Sequence, residues 1–83
     1  MWKEWLIKAA FIITLAMLFF GIANDCNIVS GIGFIGTGVF GALLRYWQVT
    51  NAGDEADVVG LVCWALFEST IGAIHLAIGI KAL

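Results

Sequence analysis

The chain alternates between long apolar stretches and two short polar breaks. Apolar side chains dominate residues 5–23, 28–47 and 58–82, and polar side chains gather at residues 24–27 and 48–57. A helix of about 20 residues reaches roughly 30 Å, which matches the hydrocarbon thickness of a bilayer. The pattern therefore predicts an all-α integral membrane protein with three transmembrane helices, arranged as antiparallel hairpins in one membrane domain covering residues 1–83.

The composition excludes a soluble globular domain. Of the 83 residues, 63% are apolar and 12% are charged, and the mean hydropathy is +1.04. A soluble domain keeps about a quarter of its residues charged, and a small fold has proportionally more surface to cover. A net charge of −2 without a basic cluster also argues against a nucleic-acid partner. Membrane lipid is the partner that the composition predicts.

The four basic residues predict the orientation. Lys3, Lys8 and Arg45 fall on one side of the predicted hairpins, and Lys81 falls on the other. Because cytoplasmic segments are enriched in Lys and Arg, we expect a multi-pass protein of the plasma (inner) membrane with a cytoplasmic N-terminus. Aromatic residues, which favour the membrane interface, gather on that same side: Trp2, Trp5, Tyr46 and Trp47.

Residues 1–23 have a second interpretation, as a cleaved secretory signal. Lys3 and Lys8 would form its basic region, residues 9–20 its apolar core, and Gly21 and Ala23 a small-residue cleavage site. Cleavage would leave a protein with two transmembrane helices. We favour the retained form with three helices, and the sequence leaves the alternative open.

Glycine is concentrated in the second apolar stretch. Gly33, Thr37 and Gly41 recur every fourth residue, and Gly36 and Gly38 lie between them. In lipid, small residues at this spacing let helix backbones approach closely. Such a surface packs either against the other helices of the same chain or against another subunit. We expect at least one of its faces to contact another subunit, because glycines occur on more than one side of the helix.

Glu68 and His75 are ionisable residues in the third stretch. Glu68 lies near the middle of the predicted helix, where a bare carboxylate is costly, so lipid favours the neutral acid. His75 follows seven residues later, and Gly72 and Gly79 complete one polar and small-residue stripe. One interpretation is adhesion, in which these side chains form hydrogen bonds across a helix interface. The other is a proton or ion site, with Glu68 carrying the exchangeable proton.

No residue pattern indicates an enzyme, a cofactor or a metal. The single histidine and the two cysteines lack ligand spacing, and no nucleophile and base pair is evident. The predicted topology places Cys26 and Cys63 near opposite sides of the membrane, far beyond disulfide reach. We therefore expect no catalytic residue, no metal site and no disulfide within one chain.

Two families share features with this chain. The glycine-rich run from Gly31 to Arg45, followed by a polar loop and a helix with Glu68 in its middle, resembles the hairpin of rotor-ring proteolipids of ATP synthases. That resemblance implies a ring in which Glu68 carries a proton or sodium ion, although the usual Arg-Gln-Pro loop is absent here. After signal cleavage, the chain is similar to pilins of conjugation and type IV secretion systems, which implies a filament subunit. The loop at residues 53–57 is acidic, whereas loops of such pilins tend to be basic.

These observations lead to three functional hypotheses. The first is a small multispan protein with a structural or assembly role, which self-associates or joins a larger membrane complex through its glycine-rich helix. The second is proton or ion translocation by an oligomeric, proteolipid-like or channel-like assembly that uses Glu68. The third is a pilin subunit formed after signal cleavage.

Overall fold

The computed structural model describes residues 2–83, except for the side chain of Trp2, and contains three α-helices. Helix α1 covers Trp2–Ala23, α2 covers Asn27–Asn51 and α3 covers Val58–Lys81. Each helix is long and apolar enough to cross a membrane. The predicted all-α fold with three candidate transmembrane helices is therefore confirmed, and the chain is a multi-pass membrane protein.

A tight turn joins α1 to α2. The Cys26 backbone N–H donates to the Gly21 carbonyl at 2.8 Å, and the Asn24 side-chain amide donates to the Phe20 carbonyl at 2.9 Å. Asp25 has a positive φ of 52°, a left-handed conformation that aspartate tolerates better than most residues. The polar break is therefore just long enough to reverse the chain and to satisfy the last carbonyl groups of α1.

The second polar break is shorter than the sequence indicates. Helix α2 continues to Asn51, about one turn beyond the predicted end at residue 47. Residues 48–51 are mostly polar and contain no proline or glycine, and the Thr50 hydroxyl donates to the Tyr46 carbonyl at 2.8 Å. The loop then covers residues 52–57 and includes Gly53, whose φ is +85°.

Helix α3 begins with an aspartate cap. The Asp57 side chain accepts a hydrogen bond from the Gly60 backbone N–H at 3.0 Å. A carboxylate at this position satisfies an N–H group that has no partner within the helix, and it complements the positive end of the helix dipole. The acidic loop therefore fixes the start of α3.

The three helices lie side by side in one layer with α2 in the middle. Within residues 2–83, α1 and α3 each pack on α2 and make no contact with each other. The molecule measures 47 × 25 × 16 Å, so it is flattened in one direction. The face of α2 that carries Ile32, Val39 and Leu43 is exposed, whereas Ser30 and Thr37 on its other face are buried. Leu18 is the one large apolar side chain of the described residues that is buried.

The layer has two ends, which we call the loop end and the turn end. The loop end holds residues 52–57, and the turn end holds residues 24–26. Lys8 forms an ion pair with Glu4 at 3.4 Å near the loop end, and Lys81 closes α3 at the turn end. Trp5 and Tyr46 are exposed near the loop end. The expected interface position of the Trp2 side chain lies outside the described residues.

Candidate functional site

Helix α1 packs against α2 through glycines, and we call this contact the α1–α2 seam. A β-carbon added at Gly33 would lie 2.6 Å from Leu18 Cα, and one added at Gly36 would lie 2.6 Å from Thr14 Cβ. Side chains of α1 therefore occupy the space that the glycines of α2 leave empty. The Thr14 hydroxyl donates within its own helix, to the Ala10 carbonyl at 2.9 Å.

Helix α3 packs on a second side of α2, and we call this contact the α2–α3 seam. Its closest point joins two backbones, because a β-carbon added at Gly31 would lie 2.7 Å from the Gly72 carbonyl oxygen. Gly38 lies against Glu68, and Gly79 lies against Ile28. The whole stripe of Glu68, Gly72, His75 and Gly79 therefore faces α2.

The glycines of α2 are thus divided between two neighbours within the same chain. Gly33 and Gly36 are buried against α1, and Gly38 is buried against α3. Gly41 is half-buried, and a β-carbon there would meet the edge of the Phe11 ring at 3.1 Å. The structure therefore shows the intrachain packing that the sequence left open. A further subunit has no access to Gly33, Gly36 or Gly38.

The first polar pair of the α2–α3 seam joins Thr37 to Glu68. The Thr37 hydroxyl lies 3.0 Å from Glu68 Oε1 and 2.8 Å from the Gly33 carbonyl oxygen. Thr37 is 4% exposed. Glu68 lies ten residues into α3, which places it roughly 15 Å along the helix and near its middle. The pair therefore lies at the depth of the membrane interior.

The Thr37 hydroxyl suits both protonation states of Glu68. It has one proton and two lone pairs. When Glu68 is a neutral acid, its carboxyl O–H donates to Thr37, and Thr37 donates to the Gly33 carbonyl. When Glu68 is ionised, Thr37 turns its proton to Glu68, and the Gly33 carbonyl keeps its place in the helix ladder. One rotation of a hydroxyl group therefore links the two states.

The second polar pair joins Ser30 to His75. The Ser30 hydroxyl lies 2.9 Å from His75 Nδ1 and 3.2 Å from the Asn27 carbonyl oxygen. Ser30 is 1% exposed. The His75 ring also packs against the Phe34 ring, with 5.0 Å between centroids. This pair lies about five helix residues from the turn end, closer to the membrane surface than the first pair.

The two pairs share one spacing. Ser30 and Thr37 are seven residues apart on α2, and Glu68 and His75 are seven residues apart on α3. Seven residues make about two helical turns, so antiparallel helices bring both pairs into register together. The sequence analysis did not single out Ser30, although this matched spacing was a signal that could have found it. Thr37 was assigned to packing alone, and the structure adds its contact with Glu68.

A groove runs along one broad face of α2, between α1 and α3, with a volume of about 360 Å³. We call it the Glu68 groove. Its α1 wall consists of Phe11, Leu15 and Leu18. Its floor on α2 includes Thr37, Gly41, Ala42 and Arg45. Its α3 wall consists of Leu61, Trp64 and Glu68. The groove therefore combines apolar walls with one carboxyl group at the membrane interior and one guanidinium toward the loop end.

The second carboxyl oxygen of Glu68 is accessible. Thr37 supplies the hydrogen bond that residues 2–83 make to this carboxyl, and it reaches Oε1. Every buried polar side-chain atom of the described residues has a hydrogen-bond partner. Glu68 Oε2, which has none among them, is therefore not buried. Glu68 lines the groove, so its side chain borders the space that an incoming group would occupy.

Both cysteines are free thiols in the described structure. Cys26 is half-buried in the turn, and Cys63 is exposed near the start of α3. They belong to opposite ends of the layer, as the predicted topology requires. Among residues 2–83, no three His, Cys, Asp or Glu side chains are grouped in a way that could hold a metal ion.

No family of known proteins, curated protein or solved structure matches this chain. The resemblances to rotor-ring proteolipids and to pilins remain predictions from the residues quoted above. The groove and the two polar pairs are the features of the described residues that bear on function.

Proposed function

We propose that the protein is a subunit of an oligomeric membrane assembly with a structural role, formed from copies of the same chain. The observation that carries this proposal is the open Glu68 groove. An accessible carboxyl oxygen in the membrane interior is costly when it faces lipid tails, because lipid offers no hydrogen-bond partner. A helix of a neighbouring copy over the groove would remove that cost.

The surface that self-associates is then different from the one that the glycine pattern indicates. The buried glycines are occupied by α1 and α3, so the contact uses the walls of the groove. Leu15 and Trp64 are the wall residues available on the two sides, and Trp64 is 55% exposed. In lipid, association depends on packing and on hydrogen bonds between helices, and this face offers both.

Native mass spectrometry of the protein released from lipid nanodiscs tests the assembly. We expect an oligomer for the unchanged protein, a shift toward monomer for Leu15→Trp, and an unchanged oligomer for Ile74→Trp. Ile74 is 55% exposed and lies outside the groove, so it controls for added bulk in lipid. A monomer in every sample, or equal effects of the two variants, would reject self-association through this face.

A second candidate function is proton translocation, and the Thr37 hydroxyl favours it. Thr37 can accept from the neutral acid and donate to the carboxylate, so loss of a proton leaves Oε1 with a hydrogen bond. Proteoliposomes loaded with a pH-sensitive dye test this function. We expect Glu68→Gln to stop proton flux, Thr37→Val to slow it and Asp25→Asn to leave it unchanged. Proton flux through Glu68→Gln that equals the flux through the unchanged protein would reject proton translocation by Glu68.

We propose a plasma-membrane location with the loop end in the cytoplasm. Lys3, Lys8 and Arg45 lie toward the loop end and Lys81 lies at the turn end, so the bias of basic residues supports this orientation. A membrane-impermeant maleimide added to whole cells tests it. In a Cys26→Ser and Cys63→Ser background, we expect labelling of Asn24→Cys and protection of Ala52→Cys; the reverse pattern would invert the topology.

We also propose that α1 remains part of the working protein. Loss of residues 1–23 would expose Gly33 and Gly36, whose surfaces Leu18 and Thr14 cover. This packing supports the form with three helices over the pilin hypothesis, which needs the cleavage. The intact mass of protein purified from membranes tests it, and a mass that lacks residues 1–23 would contradict the proposal.

A further inference from the structure

The carboxyl group of Glu68 lies apart from the other acidic side chains of the chain. The remaining five acidic residues all lie near the two ends of the layer: Glu4, Asp25, Asp54, Glu55 and Asp57. Glu68 alone lies midway along a helix, and its side chain lines the groove. A negative charge at that depth is poorly screened, since little water surrounds it. The groove is therefore a place where one positive charge would be strongly attracted.

The walls of the groove determine what kind of cation would fit. Phe11, Leu15 and Leu18 form an apolar wall on α1, and the Trp64 ring lies on the opposite side. A tryptophan face attracts an organic cation through its quadrupole. A volume of about 360 Å³ lies at the lower end of the range for small-molecule sites. The groove therefore suits a compact ligand with an apolar body and one positive charge.

An inorganic cation fits the groove poorly. Hard metal ions require several oxygen ligands to replace their hydration shell, and the lining near Glu68 offers this carboxyl and the Thr37 hydroxyl. A lipophilic organic cation has its charge spread over an apolar body and needs no such shell. The chemistry of the lining therefore selects the organic cation.

Arg45 does not oppose a cation at Glu68. It lies eight residues beyond Thr37 on α2, which corresponds to roughly 12 Å along the helix. It also lines a separate cavity at the loop end together with Glu55 and Asp57. Arg45 therefore belongs to the loop end of the groove, about two turns from Glu68.

We propose that the Glu68 groove binds a monovalent lipophilic organic cation, whose charge pairs with the Glu68 carboxylate and whose apolar body lies between Trp64 and the α1 wall. All walls come from one chain, so the site does not require the proposed assembly. A neighbouring copy would enclose the ligand beneath it.

Cation binding at this site displaces a proton whenever Glu68 starts as the neutral acid. The proton leaves the carboxyl group for the solvent as the cation takes its place, so charge is conserved. The other ionisable groups on the neighbouring elements are Arg45 on α2 and His75 on α3, each about two turns away. The wall on α1 is apolar. Any proton released on binding would then come from Glu68.

Two probes of similar shape and opposite charge test the proposal. Tetraphenylphosphonium is a lipophilic cation, and tetraphenylborate is the matching anion. Equilibrium binding of each is measured on full-length protein in nanodiscs, with empty nanodiscs subtracted. We expect saturable binding of the cation, weakened roughly tenfold or more by Glu68→Gln, and no saturable binding of the anion.

Asp25→Asn is the matched control, because it removes a negative charge at the turn end and should leave cation binding unchanged. Trp64→Leu retains the carboxyl group and should weaken binding by roughly threefold, which keeps the test open if Glu68→Gln fails to fold. Equal saturable binding of both probes, or cation binding that survives both Glu68→Gln and Trp64→Leu, would overturn the proposal. A monomer that binds the cation would reject the assembly and leave this site standing.

Discussion

Helix α2 contacts α1 on one side and α3 on the other, and the two seams use different chemistry. In the α1–α2 seam, Leu18 and Thr14 fill the space above Gly33 and Gly36, and the Thr14 hydroxyl bonds within its own helix. The α2–α3 seam adds side-chain hydrogen bonds between helices. Helix α2 therefore packs against α1 through complementary shape alone, and against α3 through complementary shape and side-chain hydrogen bonds.

The α1–α2 seam contributes to stability alone, whereas the α2–α3 seam also holds the side chains that could carry a function. A seam that depends on shape needs only small residues opposite large ones, and it has no titratable group in the contact. A seam with a carboxyl and an imidazole side chain exposes the packing of the helices to protonation and to ligands. The two ionisable side chains at the helix contacts, Glu68 and His75, are accordingly both in the α2–α3 seam. Three substitutions test how far this contrast holds.

Gly33→Ala should have the largest effect, because the added methyl group meets backbone atoms of Leu18 that no side-chain rotation can move. We expect a loss of about 3 kcal/mol in the free energy of unfolding. Unfolding by dodecyl sulfate in mixed micelles, followed by tryptophan fluorescence, measures it. Gly41→Ala is the control in the same helix, since it meets only the edge of the Phe11 ring. Equal stability of the two variants would contradict packing by shape.

Gly72→Ala tests the backbone contact of the α2–α3 seam. The added methyl group would lie 2.6 Å from the Gly31 carbonyl oxygen and 2.6 Å from Ile35 Cγ1. One of these two contacts is with a side chain that can turn aside, whereas Gly33 meets both N and Cα of the Leu18 backbone, so we expect a smaller loss of about 2 kcal/mol in the same titration. Spin labels on α2 and α3 should show the helices moved apart yet still paired. Complete separation of α3 would mean that the polar pairs contribute little to the seam.

Thr37→Val should have the smallest effect of the three substitutions, and Thr14→Val is its matched control. Both changes replace a hydroxyl with a methyl group, but Thr37 contacts Glu68 across the seam and Thr14 bonds only within α1. We expect about 1 kcal/mol of destabilisation for Thr37→Val and less than about 0.5 kcal/mol for Thr14→Val. Indistinguishable unfolding curves for the two variants would remove the energetic role of the Thr37–Glu68 pair.

Much of the fold follows directly from the order of residues. The three apolar stretches and the two polar breaks predict the helices, because lipid allows few other backbone structures to span it. The end of α2 was harder to place, since the mostly polar residues 48–51 extend the helix past the long apolar stretch. Polarity marks where a helix leaves lipid, and a helix that has left lipid can still continue in water.

The arrangement of the glycines could not be read from their spacing. Gly33, Thr37 and Gly41 repeat every fourth residue, yet Gly33 faces α1 while Thr37 contacts Glu68 on α3. A four-residue spacing gives a ridge, but a helix held between two neighbours has two contact faces only a few residues apart. Which glycine serves which neighbour depends on where α1 and α3 lie.

The sequence by itself determined that this protein lies in lipid and that it crosses the membrane as helices. A chain with so few charges can be solvated only by lipid and must cross it as helices. It also supplied one carboxyl group at the middle of a helix. Only the tertiary structure decided that α2 lies between its neighbours, that Thr37 meets Glu68 and that a groove opens beside them. Those features depend on the register and lateral order of helices, which are set by contacts between residues far apart in the chain.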